Sequence, residues 1–84
     1  MAKVFVTGFL PNRRGVMTVV GFLDNPETGV YAAFYADTVP YDLEAGPLKT
    51  QIHQNMPEHI NAWLRGNGLE DEANIIAADI EIIT

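Results

Sequence analysis

The chain has 84 residues, no cysteine and no serine, and eleven acidic against five basic residues, for a formal net charge of −6. A single domain of that length buries only roughly 60–65% of its unfolded surface, so its core is small. Without thiols there are no disulfides, thiolate metal sites or thiol nucleophiles, and the acidic balance disfavours direct nucleic-acid binding.

The first ten residues, MAKVFVTGFL, lack the pattern of a signal peptide. No apolar run approaches the roughly 18 residues that a membrane span requires. A cytoplasmic location with no membrane partner is expected, and the missing cysteine fits a reducing compartment. Residues 3–9 (KVFVTGF), 16–23 (VMTVVGFL) and 30–36 (VYAAFYA) are dense in β-branched and aromatic side chains, which predicts three strands. Between the first two lies LPNRRG, with Pro11 expected to end one strand and Gly15 to begin the next. Between the second and third lies DNPETG. Pro26 suits the second position of a type I turn, and Gly29 supplies the left-handed residue that closes a bulged hairpin. A three-stranded antiparallel meander is the economical arrangement.

Both faces of these strands are apolar. The second strand sets Val16, Thr18, Val20 and Phe22 against Met17, Val19, Gly21 and Leu23. The third sets Val30, Ala32, Phe34 and Ala36 against Tyr31, Ala33 and Tyr35. An antiparallel sheet with one wet face alternates apolar and polar residues, and this one does not. Each face therefore needs cover.

Residues 37–46 are irregular, punctuated by Pro40 and Gly46. Residues 47–55 alternate as an edge strand would, yet Leu48, Ile52 and Met56 also recur at helical spacing. Pro57 inside one long helix would lose a backbone bond and clash with the carbonyl of His53, at a cost of ~3 kcal/mol. The spacing therefore predicts a main helix at about 56–65, with Pro57 near its start and Gly66-Asn67-Gly68 as its stop. A short helical turn over 69–74 is compatible with Glu70, Asp71 and Glu72. Residues 78–83 alternate Ala78, Ile80 and Ile82 against Asp79, Glu81 and Ile83, as a final strand. The expected fold is α+β, one domain over 1–84. It is a twisted antiparallel sheet, made of the N-terminal meander and the C-terminal strand, with the helix on one face. Ile60, Trp63, Leu64 and Met56 shield part of that face. The second face needs the 37–48 segment (Val39, Tyr41, Leu43, Leu48) or another subunit, and a homo-oligomer, first of all a dimer, is the expected state.

No phosphate loop, dinucleotide fingerprint or nucleophile elbow is present, so no catalytic residue, metal ligand or cofactor is assigned. His53 and His59 are too far apart around a helix to form a metal pair. Tyr31 and Tyr35 flank Ala33 on one strand face, where a core or dimer-interface ridge is the plainer reading and two aromatic walls suited to a partner's side chain the sharper one. For Glu70, Asp71, Glu72, Asp79 and Glu81 a solvated acidic face is the plainer reading and a docking surface for a basic partner the sharper one. Arg13 and Arg14 sit at a hairpin tip, where a solvated turn is the plainer reading and a contact to a carboxylate or phosphate the sharper one. The expected function is that of a small acidic, non-catalytic protein-interaction module of the inhibitor or adaptor type. Its partner is another protein, in one version a nucleic-acid-handling protein engaged through its basic groove. The alternatives are a small-ligand-binding domain or small enzyme with a dimer-seam pocket lined by His53, His59, Tyr31 and Tyr35, and a structural subunit of a larger assembly.

Overall fold

The computed structural model describes residues 2–83. Three long strands, β1 (Lys3–Arg13), β2 (Val16–Asn25) and β3 (Val30–Pro40), are followed by helix α1 (Leu48–Gly66) and a three-residue strand β4 (Ile80–Ile82). Single 3-10 turns occupy Glu70–Glu72 and Ala77–Asp79. The sheet order is β3-β2-β1-β4, and the fold is α+β, with one main helix against one face of the sheet.

Both hairpins close through left-handed glycines, at φ 77° for Gly15 and 76° for Gly29. In the second hairpin Asn25 Oδ1 accepts from the Glu27 N–H at 3.1 Å, and the Asn25 carbonyl accepts from the Gly29 N–H at 2.8 Å. Asparagine at this position mimics a backbone turn with its own side chain, which is why the sequence is legible here. The first hairpin differs from expectation. Pro11 does not end β1, which continues to Arg13. The register shifts between Pro11 and Arg13, and β4 pairs only alongside Val4, Phe5 and Val6. Proline is tolerated on an unpaired edge or beside a bulge, and β1 offers both there.

The helix is also longer than expected, at nineteen residues from Leu48 to Gly66, with Pro57 inside it. Ile52, Met56, Ile60 and Leu64 recur every fourth residue and are all fully buried. Burying each is worth roughly 1.5–3 kcal/mol, so the stripe outweighs a proline cost of ~3 kcal/mol. Gln51 fastens the first turn: it is buried, its Nε2 donates to the carbonyls of Asp42 (2.6 Å) and Gly46 (3.0 Å), and its Oε1 accepts from the Asp42 N–H (2.6 Å). The helix ends in a Schellman arrangement, with the Leu69 N–H on the Leu64 carbonyl (2.8 Å), the Gly68 N–H on the Arg65 carbonyl (3.4 Å) and Gly68 left-handed at φ 76°.

β4 pairs parallel to β1, so the sheet is mixed and not wholly antiparallel. The helix, about 28 Å long, carries the chain back along the sheet before β4 begins, and a parallel neighbour requires such a crossover. Residues 77–79 form a 3-10 turn, so β4 is shorter than the alternation over 78–83 implied. Among the described residues no helix is long and apolar enough to cross a membrane.

The core lies between α1 and the face bearing Val4, Val6, Met17, Val19, Leu23, Phe34, Ala36 and Val39. Gly21 falls on this face because no side chain fits: a Cβ would lie 1.9 Å from the Phe5 carbonyl oxygen and 3.0 Å from Cε1 of Phe34. Substituting Gly21→Ala should therefore destabilise the fold by about 1–3 kcal/mol or more. Replacing Pro57→Ala returns a donor to the His53 carbonyl and should stabilise it by about 1–2 kcal/mol after allowing for the freer unfolded chain. Urea denaturation of both variants checks the two signs.

Candidate functional site

The side of the sheet away from α1 has no second layer among the described residues. Segment 37–48, the candidate cover within the chain, does not cover it: 37–40 complete β3 with Val39 buried in the helix-side core, and the rest runs on the helix side. Tyr41 and Leu48 pack against the core, and Leu43 is exposed. Register shows what the open face carries. Glu81, Phe5, Phe22 and Ala33 stand abreast across β4, β1, β2 and β3, and Tyr31 lies opposite Asp24 beside them. The Phe22 ring centroid is 5.0 Å from that of Phe5 and 5.2 Å from that of Tyr31, with interplanar angles of 27° and 29°. The three rings make a stacked ridge running across the strands. Such pairs are worth roughly 0.5–1.5 kcal/mol each beyond their buried area. Tyr31 is 68% exposed, Tyr35 54% and Leu10 72%.

Next to the ridge, toward the first hairpin, the face dips. Gly8, Phe9, Leu10, Thr18 and Val20 line a shallow depression of about 270 Å³. Thr7 is the extra residue of a bulge between Val6 and Gly8. The bulge turns Leu10 to the open side and leaves side-chain-free Gly8 on the floor of the depression. A Cβ on Gly8 would meet Cγ2 of Val20 at 3.3 Å. Beyond the depression, Asn12 Nδ2 donates to Thr18 Oγ1 at 2.8 Å and to the Asp37 carbonyl at 2.7 Å. These bonds tie the irregular end of β1 to the bulge in β3.

The predicted site residues divide among several places. Tyr31 and Tyr35 share the open face with Ala33 exposed between them. Arg13 and Arg14 are exposed at the tip of the first hairpin, where the Arg13 carbonyl accepts from the Tyr41 hydroxyl at 3.5 Å. Arg14 borders a depression with Tyr41, Asp42 and Glu44. The acidic group does not form one surface. Glu70 and Asp71 are exposed on the turn after the helix, whereas Glu72 is buried. Glu72 Oε1 accepts from Asn25 Nδ2 at 2.6 Å and from Thr28 Oγ1 at 3.3 Å, pinning the second hairpin to the chain behind the helix. Asp79 lies in a 3-10 turn and accepts from the Ile76 N–H at 3.0 Å, so it shares no strand face with Glu81. Glu81 alone stands beside the ridge.

The histidines do not converge. His53 Nε2 donates to the Ile80 carbonyl at 2.9 Å, on the β4 side. His59 borders a groove with Tyr35, Asp37 and Trp63, on the β3 side. β3 and β4 are opposite edges of the sheet. Of the four residues suggested for a pocket, only His59 and Tyr35 share a depression, and Tyr31 and His53 lie away from it. Among the described residues no three His, Asp or Glu side chains group as a metal site. Residues of the open face that pattern alone did not single out are Phe5, Gly8, Leu10, Val20 and Phe22. The alternation of β2 does put Val20 and Phe22 on one side. The pairing of Phe5 with Phe22 depends on a register that a bulge at Thr7 sets.

Glu72→Ala should leave Asn25 without its acceptor and destabilise the fold by about 1–3 kcal/mol. Exposed Glu70→Ala and Asp71→Ala should stay within about 0.5 kcal/mol, and thermal denaturation separates the two classes. Comparison with family models, with curated proteins and with solved structures finds no match for this chain.

Proposed function

We propose that the protein is a small, acidic, non-catalytic protein-interaction module that docks a protein partner on the open face of its sheet. The observation that carries this reading is the stacked ridge of Phe5, Phe22 and Tyr31, standing on a face that no other part of the described chain overlies. Contiguous apolar surface of this kind marks interaction sites, and tyrosine and other aromatic residues are enriched at the centres of interfaces. Preformed rings lose little side-chain entropy on docking, which favours affinity.

Exposed sheet aromatics also suit base stacking, as in single-stranded nucleic-acid binders. Those proteins line the same groove with basic residues, whereas this chain carries a net charge of −6. The acidic residues themselves are dispersed over different elements, so the reading rests on the aromatic face and not on an acidic patch. An inhibitor or adaptor, which works by occupying or bridging surfaces, needs no more than such a face. The cysteine-free composition supports a reducing, cytoplasmic setting.

A photocrosslinking phenylalanine analogue placed at position 31, in cells that naturally make the protein, tests this reading. A discrete protein adduct is expected from position 31 and none from the same probe at position 65 on the far side of the helix. No adduct at 31, identical adducts at both sites, or adducts made only to nucleic acid would overturn it.

A further inference from the structure

We infer that the occupant of the open face is a second copy of this chain, packed sheet against sheet with strands reversed, so that each copy's aromatic ridge enters the other's depression. This rests on the reading of the open face as a docking surface and names what docks there.

The positions of ridge and depression carry the inference. The ridge crosses the face at Phe5 and Phe22, near the start of β1, and the depression lies further along, at Gly8, Leu10, Thr18 and Val20. A twofold axis in the plane between two such sheets, perpendicular to the strands, lays the ridge of one copy toward the depression of the other, twice over. The contact is self-complementary and closed, as an isologous dimer requires. An axis parallel to the strands would instead set ridge against ridge and leave the two depressions facing each other, unfilled.

Charge selects the same arrangement. The ridge end of the face carries Asp24, opposite Lys3, and Glu81, opposite Phe5, and the hairpin end carries Arg13, which pairs with Val16. Reversed packing brings the second copy's Arg13 to the end of the face that carries these two carboxylates, where a bidentate contact is available. Parallel packing would bring the two arginine tips together, and like charges across an interface disfavour that pairing.

Area sets the strength. Three long strands about 4.8 Å apart and roughly 30 Å long present roughly 430 Å² per copy, or about 860 Å² in all, in the range of weak, transient interfaces. The expected complex is therefore a reversible dimer.

Light scattering after size exclusion, and sedimentation over a range of concentrations, test this with the whole chain. The wild type should pass from monomer to dimer and no further. Leu10→Glu and Tyr31→Glu change exposed side chains, so far-UV circular dichroism should be unaltered, while the dimer Kd rises about tenfold or more. Leu43→Glu, which alters an exposed leucine off this face, should leave Kd unchanged. Arg13→Glu should weaken the dimer, and adding Glu81→Arg should restore it, because the two meet only in the reversed arrangement. A monomer at every concentration, a dimer indifferent to Leu10→Glu and Tyr31→Glu, or no restoration in the double variant would overturn the inference. A monomer whose position 31 still crosslinks a different protein would overturn this inference alone and leave the docking reading standing.

Discussion

Ile52, Met56, Ile60 and Leu64 seal α1 against Val4, Val6, Met17, Val19 and Phe34, and this one seam supplies most of the core. Among the described residues a nineteen-residue helix is the only large element available to cover a four-stranded sheet. The strands are apolar on both sides, and one helix serves one side. Everything distinctive about the molecule follows from that asymmetry: a closed face that stabilises the fold, and an open face that leaves aromatic side chains toward solvent.

The local devices serve the closed face and shape the open one. Gly21 lets the Phe5 carbonyl and the Phe34 ring close in beneath the helix. Gln51 binds the irregular segment at Asp42 and Gly46 to the helix start, which keeps that segment on the helix side. Glu72 holds the second hairpin from behind through Asn25 and Thr28. The bulge at Thr7 acts in the other direction. It increases twist, restores Phe9 to the core side and leaves Gly8 and Leu10 on the open side. Fixing the two ends of the face in this way sets a ridge beside a depression on one side of the sheet.

Composition and alternation made much of the fold legible. The three strands, the Asn25–Gly29 turn and the Gly68 helix stop depend on neighbours in sequence, so local rules reach them. What escaped were features set by distant partners. Pro57 argued for a short helix, because a proline's cost is local whereas the gain from Ile52 and Met56 is collected against the sheet. Pro11 argued for a strand end, because nothing in LPNRRG reveals that β1 runs on past the reach of β4. The parallel pairing of β4 depends on where the helix returns the chain. In the candidate site, Tyr31 and Tyr35 stood out from spacing alone, while Phe5 and Phe22 joined them only through register across three strands. The acidic residues looked like one group because they are close in sequence, yet a buried Glu72 and a capping Asp79 show that proximity along the chain does not make a surface.

The two-sidedness of the sheet is most directly measured by hydroxyl-radical footprinting of the dilute chain, followed as its concentration is raised. Modification is predicted to be rapid at Phe22, Tyr31 and Leu10 in dilute solution, to fall at those residues together on association, and to stay low throughout at Met17, Phe34 and Met56. Modification of Phe22 and Tyr31 as slow as that of Met17 in a chain shown to be monomeric would contradict the account, because the chain would then be covering its second face by itself.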